Sequence, residues 1–212
     1  MKDLAPTVFI VDDDNGVRSS IRVLMKSVGL AATTFASARE FLGAYRETQP
    51  GCLVLDVRMP AMSGLELQEE LNRRGAVIPV IFITGHADVP MAVEAMRHGA
   101  FDFLQKPLRD QDLVDRVQKA LARDSETREE LKEHSRIRAR IATLTPREKE
   151  VLDLLTVGKA NKMMAQDLGL SQRTVEIHRA HVMEKMGAKS VAQLVRMVMD
   201  LEHHGGAPGI KE

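Results

Sequence analysis

Over roughly its first 121 residues the chain alternates short apolar runs with helix-like stretches. The runs are Val8–Val11, Ala31–Phe35, Cys52–Leu55, Val80–Ile83 and Phe101–Leu104, mostly rich in Val, Ile, Leu and Phe. Runs this short and this apolar predict strands buried on both faces, as in a parallel sheet. Between them the pattern predicts helices over Asn15–Val28, Ala38–Tyr45, Ser63–Arg74, Val89–His98 and from Asp110 onward. Gly29, Gly75 and Gly99 follow the first, third and fourth of these, where a helix end favours a residue tolerant of positive φ. A strand-helix unit repeated five times implies an α/β doubly wound, five-stranded parallel sheet with helices on both faces.

From about Leu144 the strand pattern stops. Four short helices are predicted: Pro146–Val157, Asn161–Leu168, Gln172–Met186 and Val191–Glu202. Thr145-Pro146-Arg147-Glu148 is a capping box with proline at the first helical position, Ser190 to Gln193 is another, and Ser171 is a plain N-cap. The intervening stretch, Arg109 to Thr145, lacks Gly and Pro and is dense in charge. It reads as one long or barely broken helix to about Ile141 with a solvated distal part, and a disordered linker is the competing reading. The expected organisation is therefore 1–121, an α/β domain; 122–143, a helical linker; 144–202, an all-α four-helix domain with helix-turn-helix spacing; and 203–212, a disordered tail.

Composition adds little. A hydrophobic content of 44% and a charged content of 28% are ordinary for a soluble globular protein. No apolar run approaches the ~18 residues of a membrane helix, and the start carries no signal-peptide pattern. One cysteine, Cys52, excludes an intramolecular disulfide and a multi-cysteine metal site, and it reads as a small buried hydrophobe. A cytoplasmic location with no membrane partner is the expectation. Net charge is zero, although Lys159 to Lys189 carries six bases against three acids.

In open α/β sheets, ligands bind outside the carboxyl ends of the strands. Asp12, Asp13 and Asp14 follow the first strand, Asp56 the third, Thr84 the fourth, and Gln105, Lys106 and Pro107 the fifth. The second has only Ala36-Ser37, as suits an edge strand. Carboxylates held together repel and call for a cation, and hard oxygen ligands suit Mg2+ or Mn2+. A carboxylate beside such an ion can attack a phosphoryl group while the Thr84 hydroxyl and Lys106 ammonium hold its oxygens. Any one of these aspartates alone would read as a helix N-cap; the set on one rim does not.

The pieces Val-Phe-Ile-Val-Asp12-Asp13, Leu-Val-Leu-Asp56-Val-Arg58-Met-Pro60, Ile-Thr84-Gly and Lys106-Pro107 resemble the receiver domain of two-component signalling, which has a flavodoxin-like fold. The resemblance implies that Asp56 is phosphorylated by a histidine kinase. It implies that Asp12, Asp13, Asp56 and the Arg58 carbonyl hold Mg2+, that Thr84 and Phe103 form a switch pair, and that Lys106-Pro107 is cis. A haloacid-dehalogenase-type phosphatase is a rival reading of Asp12-x-Asp14, but it gives Asp56 no role.

On the third helix of the second half, Val175, Val182 and Met186 share a stripe that would face the core. Arg173, Glu176, Ile177, Ala180 and Glu184 lie opposite, with Arg179 and His181 flanking. Leu144-Thr-Pro-Arg-Glu148, Asn161-Lys162, Ser171-x-Arg-Thr-Val-Glu-x-His-Arg179 and Met183-x-Lys-Met186 resemble the LuxR/NarL/FixJ type of DNA-binding domain. Arg173, Glu176, Ile177 and Ala180 are then candidates for base reading, and Lys162, Thr174, His178 and Lys185 for phosphate contacts, with Gln172 and Arg179 beside them.

The whole resembles the FixJ branch of response regulators. That implies a transcription regulator of promoter DNA, usually an activator working with RNA polymerase and only self-directed in its phosphotransfer. A vestigial receiver on a phosphorylation-independent DNA-binding protein is the alternative. A homodimer on phosphorylation is expected through the face carrying Val89, Pro90, Met91 and Phe101, with Val93 and Met96 assigned to the core.

Overall fold

The computed structural model describes residues 5–85 and 89–204. It divides into two compact units, Met1–Glu129 and Glu130–Glu212. The first has five parallel strands: β1 (Thr7–Val11), β2 (Ala31–Phe35), β3 (Gly51–Asp56), β4 (Val80–Thr84) and β5 (Asp102–Gln105). Around them lie α1 (Asn15–Ser27), α2 (Ala38–Ala44), α3 (Gly64–Arg73), α4 (Val89–Arg97) and the start of α5 (Asp110–Ala142). The strand order is β2-β1-β3-β4-β5, all parallel, so the expected doubly wound sheet is present, with β2 at an edge. The order reverses between β1 and β3, the switch point beside which open α/β sheets bind ligands, at the carboxyl ends of the strands.

Strand side chains alternate between the two faces. Phe9, Val11, Leu53, Leu55 and Phe82 pack one way with Phe35, Phe41 and Leu67. Val8, Ile10, Cys52, Val54, Ile81 and Ile83 pack the other way with Ile21, Met25, Leu113 and Val117. Each large side chain buried there contributes roughly 1.5–3 kcal/mol, and β1, β3 and β4 are buried along their whole length. That burial fixes the residues at the strand ends. Gly64 tightens the same rim: a Cβ there would stand 2.3 Å from the Asp56 carbonyl oxygen, so only glycine lets α3 start so close to the end of β3.

One expectation fails in this unit and another holds only in part. Val93 and Met96 are not core: they are 44% and 48% exposed. The small Ala95 is the fully buried residue of α4, so the packed face is turned away from both larger side chains. The side chain of Val89 lies outside the described residues. The distal part of α5 is also not simply solvated. Asp124 is 1% exposed and accepts a hydrogen bond from the main-chain nitrogen of Gly51 at 2.8 Å. Arg128, one turn on, contacts both Asp124 oxygens through Nε at 2.8 Å and donates to the carbonyls of Glu47 and Gln49 at 2.7 and 2.9 Å. This clamp joins α5 to the first residue of β3 and to the loop before it.

In the second unit, the end of α5 packs with α6 (Pro146–Thr156), α7 (Asn161–Leu168), α8 (Gln172–Met186) and α9 (Val191–His204). Its core holds Ile137, Val151, Leu155, Met164, Val175, Val182, Met186 and Leu194, including the stripe expected on α8. Gly169 adopts φ 64° between α7 and α8, the left-handed backbone that glycine takes at little cost. Helix α5 is continuous over 33 residues. Helix α9 continues to His204, so His203 and His204 extend a helix rather than start a tail, and 205–212 lie outside the described residues.

Replacing Arg128 by Ala leaves the Asp124 carboxylate buried beside a single peptide donor. The expected cost is about 3 kcal/mol in the first unit, because an unpaired buried charge is expensive. Urea denaturation followed by circular dichroism should show the lower midpoint. Arg128→Lys should recover only part of it, since an ammonium cannot span the carboxylate and two carbonyls at once.

Candidate functional site

The acidic rim is built by three strand ends. Asp12 follows β1 and is fully buried; Asp56 closes β3 and is 5% exposed. Lys106, just beyond β5, sends its ammonium between them, with Nζ 2.7 Å from Asp12 Oδ2 and 2.6 Å from Asp56 Oδ1. The other oxygens are also used. Asp12 Oδ1 accepts from the Asp14 nitrogen at 2.8 Å, and Asp56 Oδ2 from the Arg58 nitrogen at 2.7 Å. The Lys106-Pro107 bond is cis, and the Lys106 nitrogen donates to the Thr84 carbonyl at 2.7 Å. Thr84 is buried at the end of β4, in register with Gln105.

Electrostatics follow from this burial. Desolvation raises the Asp56 carboxyl above its ordinary value, against the opposing pull of Lys106. Burial works to lower Lys106, but the hydrogen bonds from its ammonium to Asp12 and Asp56 outweigh it and its pKa is raised. Asp14 points elsewhere: its side chain caps α1, and the hydrogen bonds from Val17 and Gly16 lower its pKa. Burial likewise pushes the Cys52 thiol up to about 12, which suits a buried hydrophobe.

Not every predicted member converges. Asp13 is exposed, and Arg58 meets the rim through its main chain, its nitrogen donating to Asp56 Oδ2. Among the described residues no three His, Cys, Asp or Glu side chains form a ready-made metal group. Two convergent carboxylates with a third at the rim nevertheless fit Mg2+, which keeps several waters and takes one or two protein carboxylates beside a phosphate. Phe103 is partly buried, its ring centroid 6.4 Å from that of Phe82. Arg18, which sequence reasoning passed over, donates to the carbonyls of both Asp12 and Asp13.

The second candidate surface lies on α8. Gln172, Arg173, Glu176 and Ala180 are exposed, and Ile177 is 49% exposed, as a recognition face requires. Lys162 is exposed on α7. The other proposed phosphate contacts are engaged or partly covered. Thr174 shares a hydroxyl hydrogen bond with Ser171, the N-cap, at 2.8 Å. Arg179 donates to the Asn161 side chain, and His178 has a buried Nδ1 with no hydrogen-bond partner among the described residues. Lys185 is 2.6 Å from Oε2 of Glu148 on α6. Glu148 is 3% exposed and also completes the capping box with Thr145. The Lys185 hydrogen bond, followed by the Thr145 nitrogen, pulls its pKa down to about 2. The capping motif was legible in sequence; that its carboxylate also reaches Lys185 was not.

Comparison with known proteins agrees with both halves. Residues 8–118 match the response regulator receiver domain family, and residues 142–198 match the bacterial regulatory proteins of the luxR family. The chain is 50% identical over 192 residues to the transcriptional regulatory protein FixJ of Azorhizobium caulinodans, covering 91% of each. It is 50% identical over 190 residues to nodulation protein W of Bradyrhizobium diazoefficiens, covering 90% of this chain and 84% of that one. Among solved structures, the response regulator StyR is 44% identical with a TM-score of 0.83, covering 92% of this chain and 98% of that one. Full-length FixJ from B. japonicum is 38% identical with a TM-score of 0.57, covering 94% and 98%. A five-stranded receiver sheet followed by a luxR-family helical unit, matched along nearly its whole length by such relatives, places the chain in the FixJ-like response regulators, and it is a DNA-binding transcription regulator.

Proposed function

We propose that Asp56 accepts a phosphoryl group from a partner histidine kinase and that this controls promoter binding by the α8 face. The observation that carries the reading is the Asp12–Lys106–Asp56 bridge at the carboxyl ends of β1, β3 and β5. An Asp56 oxygen forms the new bond to phosphorus as the bond from phosphorus to the donor histidine nitrogen breaks. Lys106, already 2.6 Å from Asp56, passes to a phosphoryl oxygen. Thr84, at the end of the neighbouring strand, offers its hydroxyl to another. Asp12, Asp13, Asp56 and the Arg58 carbonyl would hold Mg2+ or Mn2+, which would supply charge neutralisation at the phosphoryl oxygens. The hydrogen bond that Lys106 donates to Asp56 also argues against the phosphatase reading, which leaves Asp56 idle. The acyl phosphate is hydrolysed slowly by the chain itself, so its chemistry is self-directed rather than that of a classical enzyme.

The downstream steps follow the same logic. Thr84 drawn toward the phosphoryl group lets Phe103 turn inward beside α4. The exposed Val93 and Met96, with Arg97, then support an isologous homodimer that presents two recognition helices to paired half-sites. The functional units are 1–121, 122–143 and 144–202, acting in the cytoplasm on promoter DNA. The chain works as an activator that engages RNA polymerase, in keeping with relatives described as transcriptional regulatory proteins.

Asp56→Asn should abolish the phosphoryl adduct formed with a small phosphodonor and Mg2+, read by intact mass, while the circular dichroism spectrum stays as in wild type. Adduct at the wild-type level would overturn the assignment. On the DNA side, Lys162→Ala should weaken binding to all sequences and reduce the salt slope by about one. Glu176→Ala should instead change the ranking of operator variants in a binding competition.

A further inference from the structure

Asp12, Asp13 and Asp14 run consecutively between β1 and α1, three like charges that must be held against their own repulsion. Two are fixed by their side chains. Asp12 accepts from the Asp14 nitrogen and from Lys106, and Asp14 accepts from the nitrogens of Gly16 and Val17 at 2.6 and 3.2 Å. Asp13 is exposed, and the structure holds it through its main chain. The group that does so is the half-buried Arg18, one turn into α1. One of its terminal nitrogens donates to the carbonyls of Asp12 and Asp13 at 2.7 and 2.9 Å, and the other to the Asn15 side chain at 3.2 Å.

We infer that Arg18 is a positioning residue for divalent-cation binding at the acidic rim: its guanidinium grips the peptides on either side of Asp13 and so sets where the Asp13 carboxylate stands. The inference rests on the reading of this rim as a cation site. Simple charge counting predicts the opposite effect. A cation beside an acidic cluster repels an incoming divalent ion, so removing Arg18 would by charge alone tighten binding. If Arg18 works through geometry, removing it loosens binding, because the loop gains freedom that the ion must then take away. The fork of the guanidinium matters as well: a lysine keeps the charge but cannot bridge two carbonyls and Asn15 together.

The test uses the full chain without a phosphodonor, with Mn2+ as the probe and free Mn2+ read by electron paramagnetic resonance. Wild type should bind, and Asp13→Asn should bind much more weakly. Arg18→Ala and Arg18→Lys should both weaken Mn2+ roughly tenfold, the range found when a residue that orients a metal ligand is lost. Hydrogen exchange should become faster in the 12–17 segment of both variants while β3 and β4 stay protected. Should Arg18→Ala disturb the sheet, Arg18→Lys carries the test alone. Mn2+ binding that is unchanged or tighter in Arg18→Ala, or wild-type binding in Arg18→Lys, overturns the role of Arg18. Wild-type protein that binds no Mn2+, or binding indifferent to Asp13→Asn, overturns the cation site itself and the inference with it.

Discussion

Asp12 and Asp56 stand at the carboxyl ends of neighbouring strands, nearly out of reach of water, and one ammonium, that of Lys106, is divided between them. Burying two carboxylates costs several kcal/mol per ion, and a single lysine answers only one of the two charges. Every other feature of the rim serves to hold this under-compensated pair in place. The buried strands β1 and β3 fix its spacing, Gly64 lets α3 close against Asp56, the Arg58 and Asp14 nitrogens take the remaining oxygens, and the Thr84 carbonyl holds the Lys106 main chain. A site with spare negative charge and a movable cation suits the arrival of a divalent ion and a phosphoryl group, because both change the charge balance that now keeps Lys106 where it is.

Strand β3 runs from this pair to the other end of the sheet. It is six residues long, about 20 Å at strand rise, and its last residue is Asp56. Its first is Gly51, whose nitrogen is bound by the buried Asp124 of α5. The proposed phosphoryl acceptor and the clamp on the long helix are therefore at the two ends of one fully buried strand. The clamp also explains why α5 stays with the first unit past the end of the receiver match at residue 118: Asp124 and Arg128 lie beyond it, and they bind the first residue of β3 and the loop before it.

The alternation of apolar runs and helical stretches made the sheet, its edge strand and the acidic rim legible before any coordinates, because strand ends are where side-chain chemistry must collect in such a fold. The caps at Thr145 and Ser171 and the core stripe of α8 were equally plain. What escaped depends on partners distant in sequence. Asp124 and Arg128 look like any surface pair four residues apart, and only the fold brings Gly51 under them, 73 positions away. Val93 and Met96 have the size of core residues, yet Ala95 takes the packed position and leaves them exposed. The sequence shows Glu148 as a capping residue, and its second role as the partner of Lys185 needs α6 laid against α8. Arg18 contacts only neighbours in sequence, but its targets are main-chain oxygens, which no side-chain pattern reveals.

The central question is whether the chemistry of the rim changes what the recognition face does. The direct measurement is the affinity of the full-length chain for promoter DNA at fixed salt, before and after stoichiometric phosphorylation of Asp56 by a small phosphodonor with Mg2+. A shift of ~3 kcal/mol in the underlying two-state balance, within the usual range of coupling between sites, would tighten binding by more than a hundredfold. Tighter binding that decays as the adduct is lost is the predicted result. Full phosphorylation with unchanged DNA affinity would contradict the account.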